Sequence, residues 1–592
     1  GRSISESRRC TTALIEFQDV RFTYAAPDPN TPPALDGVTL RIEAGEYVAI
    51  VGANGSGKST LARHLNALLI PTAGTVAIAG MDTRERTHRL AIRQTVGMVF
   101  QRPDDQIIAA TIEEDVAFGP ENMGLPPDEI RARVRQALET VGLWEVRLRP
   151  PHHLSAGQMQ RAALAGVLAV QPRCIVFDEA TAMLDPAGRR TVRLMMAQLH
   201  AEGVTVITIT HFMDEATDAG RVIVMDRGRV ALDGPPSEVF ADEDTLHTLS
   251  LELPPIALLS RRLRQSFPAL PPNLLTAPAL TSALDALPHR VTATPAPPPP
   301  PPEPHVVGPE LIEVEALGHV YLKGTPLEHR ALRNVTLSIP DHGAHGLLGA
   351  TGSGKSTLLQ HLNGLLRPQE GRVRIGDFDL NDPHLDLRAV RRTAGLAFQM
   401  PELQIFEQYV GDEIAFGPRL QGLEGQALRE RVRWAMELVG LDFDAFKDRL
   451  TFALSGGERR KVALAAVLAL QPAILLLDEP TAGLDPLSRR ELLTHLQTFR
   501  SAGMTLVTSS HRMEDLARLA ETLTVMEDGR GLLSGPAVEV FSHEGQLRTL
   551  GLGLPAVAEI ASALRARGWP LSPGVLTAEA LAAQLEELIP RA

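Results

Sequence analysis

Two octapeptides have the residue types and spacing to hold a nucleoside triphosphate. They are Gly52-Ala53-Asn54-Gly55-Ser56-Gly57-Lys58-Ser59 and Gly349-Ala350-Thr351-Gly352-Ser353-Gly354-Lys355-Ser356, each followed by a threonine, Thr60 or Thr357. The glycines let backbone N–H groups close on phosphate oxygens, and the lysine reaches the β- and γ-phosphates. Ser59 or Ser356 can ligate Mg²⁺. Each octapeptide follows a β-rich run and opens a segment with helical spacing of Leu and His, the strand-loop-helix context of a P-loop. A bland Gly-rich turn does not account for two copies in that context.

A second chemical element is a strand ending in paired acids, Ile175-Val176-Phe177-Asp178-Glu179 and Leu475-Leu476-Leu477-Asp478-Glu479. Apolar residues bury such a strand and bring its carboxyl end to the crevice where open α/β sheets bind ligands. There Asp178 and Asp478 can hold the Mg²⁺ shell, and Glu179 and Glu479 can orient or deprotonate an attacking water. The third element is Leu154-Ser155-Ala156-Gly157-Gln158 and Leu454-Ser455-Gly456-Gly457-Glu458, each opening a helix. A serine cap followed by small residues leaves N–H groups and a positive dipole end free for an anion. One domain has one triphosphate to bind, so this second cradle is expected to serve the nucleotide of the other half.

These motifs sit on a tandem duplication. Tyr24 corresponds to Tyr321, Lys58 to Lys355, Gln101 to Gln399, Ser155 to Ser455, Asp178 to Asp478 and His211 to His511, at a nearly constant offset (321−24 = 297, 511−211 = 300). Within each half, strands alternate with helices, which predicts an α/β fold with a parallel sheet covered on its faces. In the first half an antiparallel β-rich segment (13–24 and 36–42) precedes the P-loop. A strand then ends at Phe100-Gln101, followed by a mainly helical section over 112–148, a helix over 156–170, and strands over 174–177 and 204–209. The duplication extends into helix-like runs at 256–264 and 279–284, which recur at 557–565 and 580–585. The expected domains are therefore 13–250 and 310–549, each with a small C-terminal appendage (251–288 and 550–592), joined by a linker over 289–309. Its Pro-rich core, Thr294 to Pro304, reads as an extended, semi-rigid polyproline spacer.

Composition narrows the class. With 58 basic against 71 acidic residues the chain is acidic, which disfavours broad nucleic-acid binding. Two cysteines, Cys10 and Cys174, cannot make a disulfide framework and suit a reducing compartment. Cys174 lies in an apolar run and is expected to be buried and inert. No apolar run approaches the roughly 20 residues that span a bilayer, and residues 1–10 do not read as a signal peptide, so a soluble protein is expected.

The ordered set of P-loop, glutamine, Leu-Ser-(Ala/Gly)-Gly helix, acid pair with Thr-Ala-x-Leu-Asp, and histidine resembles the ATP-binding cassette (ABC) ATPases over nearly all of both halves. The resemblance implies two tandem P-loop NTPase domains, each with an antiparallel β subdomain, a helical subdomain and an appendage. It also implies ATP and Mg²⁺ as cofactors and two composite sites. The first joins residues 52–59, Gln101, Asp178, Glu179 and His211 to Ser455, Gly456 and Gly457. The second joins residues 349–356, Gln399, Asp478, Glu479 and His511 to Ser155 and Gly157. Tyr24 and Tyr321 match the aromatic that stacks on adenine, and a π face suits that role. Gln101 and Gln399 match a residue that contacts the metal and acts in catalysis, His211 and His511 the γ-phosphate histidine, and Asp185 and Asp485 the loop that couples the sites. Both glutamates are present, which implies two hydrolytic sites. Ala156 replaces a glycine of the family motif and Ala180 a proline, so the site on the second P-loop is expected to be the slower one.

The stretches after each glutamine, 100–120 and 398–418, look like those of energy-coupling-factor ATPases of bacterial importers for B vitamins and for cobalt or nickel, here fused into one chain. That resemblance implies integral membrane partners, a coupling component and a substrate-binding component. It also implies an intramolecular pseudo-dimer and a peripheral place on the cytoplasmic face of the cell membrane. Two other readings share the cassette residues. One is the ATPase of another importer or an exporter. The other is a soluble twin-cassette protein acting on ribosomes or nucleic acid, whose linker is typically long, charged and helical rather than proline-rich.

Overall fold

The runs Tyr47–Val51, Cys174–Asp178 and Thr205–Ile209 are buried at every position, as strands covered on both faces must be. In the computed structural model, which describes residues 13–24, 32–182, 184–288, 309–325, 327–482, 484 and 486–589, they form the centre of a six-stranded sheet. Its order is Arg229–Gly234, Arg221–Asp226, Tyr47–Val51, Thr205–Ile209, Cys174–Asp178, Val96–Val99. All neighbours are parallel except the edge strand Arg229–Gly234. Ile50 and Asp178 both pair with Ile209. The P-loop, the acid pair and the segment leading to His211 therefore leave the sheet at one end, as parallel strands require.

A four-stranded antiparallel sheet, ordered Leu35–Ile42, Ile15–Phe22, Ala73–Ile78, Met81–Asp82, packs into the same apolar core through Phe17, Leu35, Ile42 and Ile78. The helical section consists of Ile112–Asn122 and Pro127–Thr140, with the helix Ala156–Ala169 packed against both. Thr111 and Glu114 start the first of these with a reciprocal capping box. The second half repeats both sheets, with Ala344–Leu348, Thr505–Ser509 and Ile474–Asp478 at the centre. There Leu347 and Asp478 both pair with Ser509.

Chain packing separates two compact units, one of residues up to 184 with 188–254, the other of 185–187 with 255 onward. The helices Pro255–Ser266 and Ala277–Asp285, which follow the first half in sequence, thus fold with the second unit. They share one apolar core with Ala556–Ala566 and Ala578–Leu588 through Leu263, Leu280, Leu284, Leu564, Leu581 and Leu585. Trp569 Nε1 donates to Asp285 Oδ1 at 2.9 Å across this core's rim. The two appendages expected from the duplication are thus joined in one four-helix body. The proline spacer (289–308), Cys10, Asp485 and the side chain of Ala156 lie outside the described residues. Cys174 is buried, and burial pushes its thiol well up, as expected for an inert cysteine. Among the described residues no helix is long and apolar enough to cross a membrane.

The halves differ at a central strand position. His345 stands where the first half has Val48, buried between Thr522 Oγ1 (2.8 Å) and Thr524 Oγ1 (3.0 Å). Burial pulls its imidazole down to about 4 from 6.5. Because the folded value lies below the unfolded one, the neutral form's contribution is intact above pH 6.5 and is lost as pH falls towards 4, on the order of 3 kcal/mol in all. His345→Val is expected to move the acid-unfolding midpoint of the chain to lower pH, read by circular dichroism across a pH series. An unchanged midpoint would show that this histidine is not an acid-sensitive point of the fold.

Candidate functional site

The loop after Tyr47–Val51 closes on its own lysine. Lys58 Nζ donates to Gly52 O and Ala53 O, both at 2.8 Å, and Lys355 Nζ to Gly349 O at 2.7 Å and Ala350 O at 2.9 Å. A Cβ on Gly52 would lie 2.4 Å from Met225 O, and one on Gly349 2.3 Å from Met526 O, so only glycine fits where the chain turns off the strand. Gly57 and Gly354, with φ of 102° and 100°, set the lysine at the first position of its helix.

Ser56 Oγ and Ser353 Oγ are buried and have no hydrogen-bond partner among the described residues. Orphaned hydroxyls inside a loop of this shape fit a phosphate oxygen as acceptor. Beside each P-loop helix, Tyr24 OH meets Thr60 Oγ1 at 3.2 Å and Tyr321 OH meets Thr357 Oγ1 at 3.3 Å. Tyr24 remains 44% exposed, which leaves surface for a base to stack on.

At the end of Cys174–Asp178, Asp178 Oδ1 accepts from Ser59 Oγ at 3.2 Å, joining two of the three sequence-predicted metal ligands of this site. Burial, and then the charge of Glu179, push Asp178 up to about 6. Glu179 and Glu479 adopt left-handed backbone with φ of 51° and 48°, a conformation that costs a non-glycine residue energy and that clusters at functional sites. Glu179 Oε2 accepts from Gln101 Nε2 at 3.0 Å and lies 3.6 Å from His211 Nδ1. Glu479 Oε2 lies 2.9 Å from His511 Nδ1 and accepts the His511 N–H at 3.3 Å. Burial would raise both carboxyls. The hydrogen bond and charge of His211, aided by Lys58, hold Glu179 below its ordinary value, and His511 and Lys355 do the same for Glu479.

The first unit thus brings lysine, serine, acid pair, glutamine and histidine to one sheet end; the second places the corresponding residues at the same end of its sheet, but there Asp478 Oδ1 accepts from Ser509 Oγ at 2.6 Å. A family model described as ABC transporter matches residues 35–182 and 332–482. The chain belongs to the ABC transporter family. A provisionally named ABC transporter ATP-binding protein of Methanosarcina mazei is 36% identical over 588 residues, covering 96% of this chain and 97% of that protein. Two proteins of Symbiobacterium thermophilum each cover 46% of this chain. Its energy-coupling factor transporter ATP-binding protein EcfA1 is 58% identical over 279 residues and 97% of its own length. Its EcfA2 is 50% identical over 273 residues and 94% of its own length.

The two ABC cassettes bind and hydrolyse ATP. Their signature helices begin as predicted. Ser155 Oγ accepts from Gln158 N–H at 3.2 Å, and Ser455 Oγ from Glu458 N–H at 3.3 Å, each closing a capping box. Both serines are exposed, so each cradle is open at its own surface. Asp185 immediately precedes the helix Pro186–Ala201.

Sequence reasoning missed the shell behind these residues. In the first cassette Glu215 accepts from Thr181 Oγ1 at 3.0 Å, Thr210 Oγ1 at 2.7 Å and Arg189 Nε at 2.7 Å. This carboxylate ties the segment after Glu179 to the residue before His211. In the second, Asp515 accepts from Thr481 Oγ1 at 2.5 Å and Arg489 Nε at 2.8 Å. The recurrence of Thr-Ala-x-Leu-Asp with an acid four residues after each histidine was the available signal.

Proposed function

We propose that this chain is the ATP-hydrolysing subunit of an energy-coupling-factor importer of a micronutrient, a vitamin or a transition-metal ion, working through integral membrane partners on the cytoplasmic face. The names of the two half-length relatives support this reading, since each covers about half of a chain that carries two cassettes. The observation that carries it lies just after each catalytic glutamine. Ile108 and Phe118 in the first cassette, and Leu403, Phe406 and Leu420 in the second, are exposed apolar side chains, from 50% for Phe118 to 76% for Leu420. Apolar groups concentrated this way mark a protein-docking surface. In the first cassette they border a groove of about 330 Å³ lined by Phe100, Gln106, Asp115 and Val170. A coupling component with an apolar segment is the partner this surface suits.

In the proposed cycle the two halves form a pseudo-dimer. The first P-loop, with Tyr24 on adenine, faces Ser455, Gly456 and Gly457, and the second, with Tyr321, faces Ser155 and Gly157. ATP drives closure because it has more partners in the closed state, and a ligand shifts an equilibrium by its differential affinity. Mg²⁺, when bound, would offset the charge of the β- and γ-phosphates. Ser59, Gln101 and Asp178, or Ser356, Gln399 and Asp478, would hold it. Water then attacks the γ-phosphorus, a new P–O bond forms and the bridge to ADP breaks. Glu179 or Glu479 orients the water and takes its proton, while His211 or His511 positions the γ-phosphate.

Isolation of the intact complex from membranes tests the reading. An integral coupling component is expected to co-purify, and the paired change Ile108→Asp with Phe406→Asp is expected to lower its recovery at least about ten-fold by removing apolar contact area. Undiminished recovery with both charges in place would remove the docking surface from the proposal.

A further inference from the structure

The duplication supplies an internal comparison, because the cassettes differ at residues that touch the hydrolytic centre from behind. Ser509, which accepts from Glu479 N–H at 3.0 Å and donates to Asp478 Oδ1 at 2.6 Å, stands where the first cassette has Ile209, and a second difference lies on the helix Gly456–Leu468. At the third position after the second small residue of each signature motif, the first cassette has Gln160 and the second Arg460. Gln160 Nε2 makes one bond there, to Phe100 O at 3.1 Å. Arg460 makes two. Its Nη1 donates to Glu479 O at 2.7 Å and its Nη2 to Gln399 O at 2.5 Å.

The carbonyl of each glutamate already accepts one N–H of the following turn, from Ala182 at 3.0 Å in the first cassette and Ala482 at 3.2 Å in the second. Arg460 occupies the remaining lone pair of Glu479 O with a charged donor, and charge-assisted bonds are roughly twice as strong as neutral ones. Its planar fork also fixes the distance between the two carbonyls. The glutamate is held in left-handed backbone at φ 48°, so its side chain points correctly only while that conformation is over-determined. In the first cassette a different device serves, the side-chain bond from Gln101 Nε2 to Glu179 Oε2 at 3.0 Å. Arg460 sits on the helix Gly456–Leu468, whose first turn is the signature motif.

We infer that Arg460 is a positioning residue for hydrolysis in the second cassette, locking the backbones of Glu479 and Gln399 to the signature helix. The first cassette has no such lock at Gln160. ATP turnover at the second cassette's P-loop therefore depends on the register of its own signature helix through Glu479 itself, whereas Gln160 ties the first cassette's helix only to Phe100. This inference rests on the proposed role of Glu479 as the hydrolytic glutamate.

The test uses the full-length chain carrying Glu179→Gln, so that remaining ATP turnover reports the second site. Adding Arg460→Gln, which installs the first cassette's residue, is expected to lower kcat about ten-fold, the effect of loosening the backbone that aims Glu479 once the two charge-assisted bonds are lost. KM for ATP is expected to stay within about two-fold, because no phosphate contact changes. Arg460→Lys, which keeps the charge and can reach one carbonyl at a time, is expected to recover part of kcat. A kcat for Arg460→Gln equal to its parent overturns the inference. So does a loss in KM with kcat intact, or a Lys variant no better than Gln. If Arg460→Gln does not fold, Arg460→Lys alone decides, and full kcat there overturns the inference. The double variant Glu179→Gln with Glu479→Gln separates the two levels. Turnover persisting in it removes the role of Glu479 itself, whereas its silence beside an unimpaired Arg460→Gln removes only the role of Arg460.

Discussion

Glu179→Gln and Glu479→Gln together are expected to lower ATP turnover of the chain by a factor of about 10² to 10⁴, the range over which a positioned general base contributes. Each change is nearly isosteric. The amide can still meet Gln101 or the backbone N–H of His511, so the left-handed turn at each position is preserved. What disappears is the carboxylate that burial would neutralise and that His211 and His511 keep ionised. Nucleotide affinity is expected to change by no more than about three-fold, since neither glutamate supplies a phosphate donor. Turnover assays on the single variants distinguish the sites, because each should leave the activity of the other. If either single variant, with its partner site disabled, kept the wild-type rate, that glutamate would not be the residue that handles the water.

The parts of this site legible in the sequence are those whose geometry is local. A P-loop is fixed by glycines within eight residues, and the clash distances at Gly52 and Gly349 explain why the pattern tolerates nothing else there. The acid pair is equally local, since a wholly apolar strand must be central and its last residue must emerge at the sheet's end. Arg460, Glu215 and Asp515 were not legible, because each acts on residues some 20 to 60 positions away whose proximity only the packed sheet creates. The same limit applies to the appendages. Their helical periodicity predicted Pro255–Ser266, Ala277–Asp285, Ala556–Ala566 and Ala578–Leu588 closely, but an amphipathic stripe does not name its partner. The common core around Leu263, Leu284, Leu564 and Leu585 is a tertiary fact. His345 is similar, since the sequence places it in a strand and the two threonines that receive it come from Thr522–Glu527.

Lys58→Ala is expected to weaken ATP binding at one of the two sites by about 10- to 100-fold, the scale of losing a charged hydrogen-bond donor to phosphate. The pattern of its double variants carries more information than this loss. Under the proposed pairing, Lys58 shares a nucleotide with Ser455, and Lys355 shares one with Ser155. Ser455→Arg and Ser155→Arg each put bulk on an exposed helix cap and remove a cap bond, at a stability cost of about 1 kcal/mol. Lys58→Ala with Ser455→Arg should therefore be scarcely worse than Lys58→Ala alone, because both damage the same site. Lys58→Ala with Ser155→Arg should silence the chain, because each site then lacks one half. Independent cassettes give the opposite ordering, since Ser155 and Lys58 would then belong to one site and Ser455 to the other. ATP turnover of the unchanged chain, the three single variants and the two double variants, compared as two double-mutant cycles, separates the two schemes without further structural information. Equal residual rates in the two double variants would rule out the pairing proposed for the signature serines.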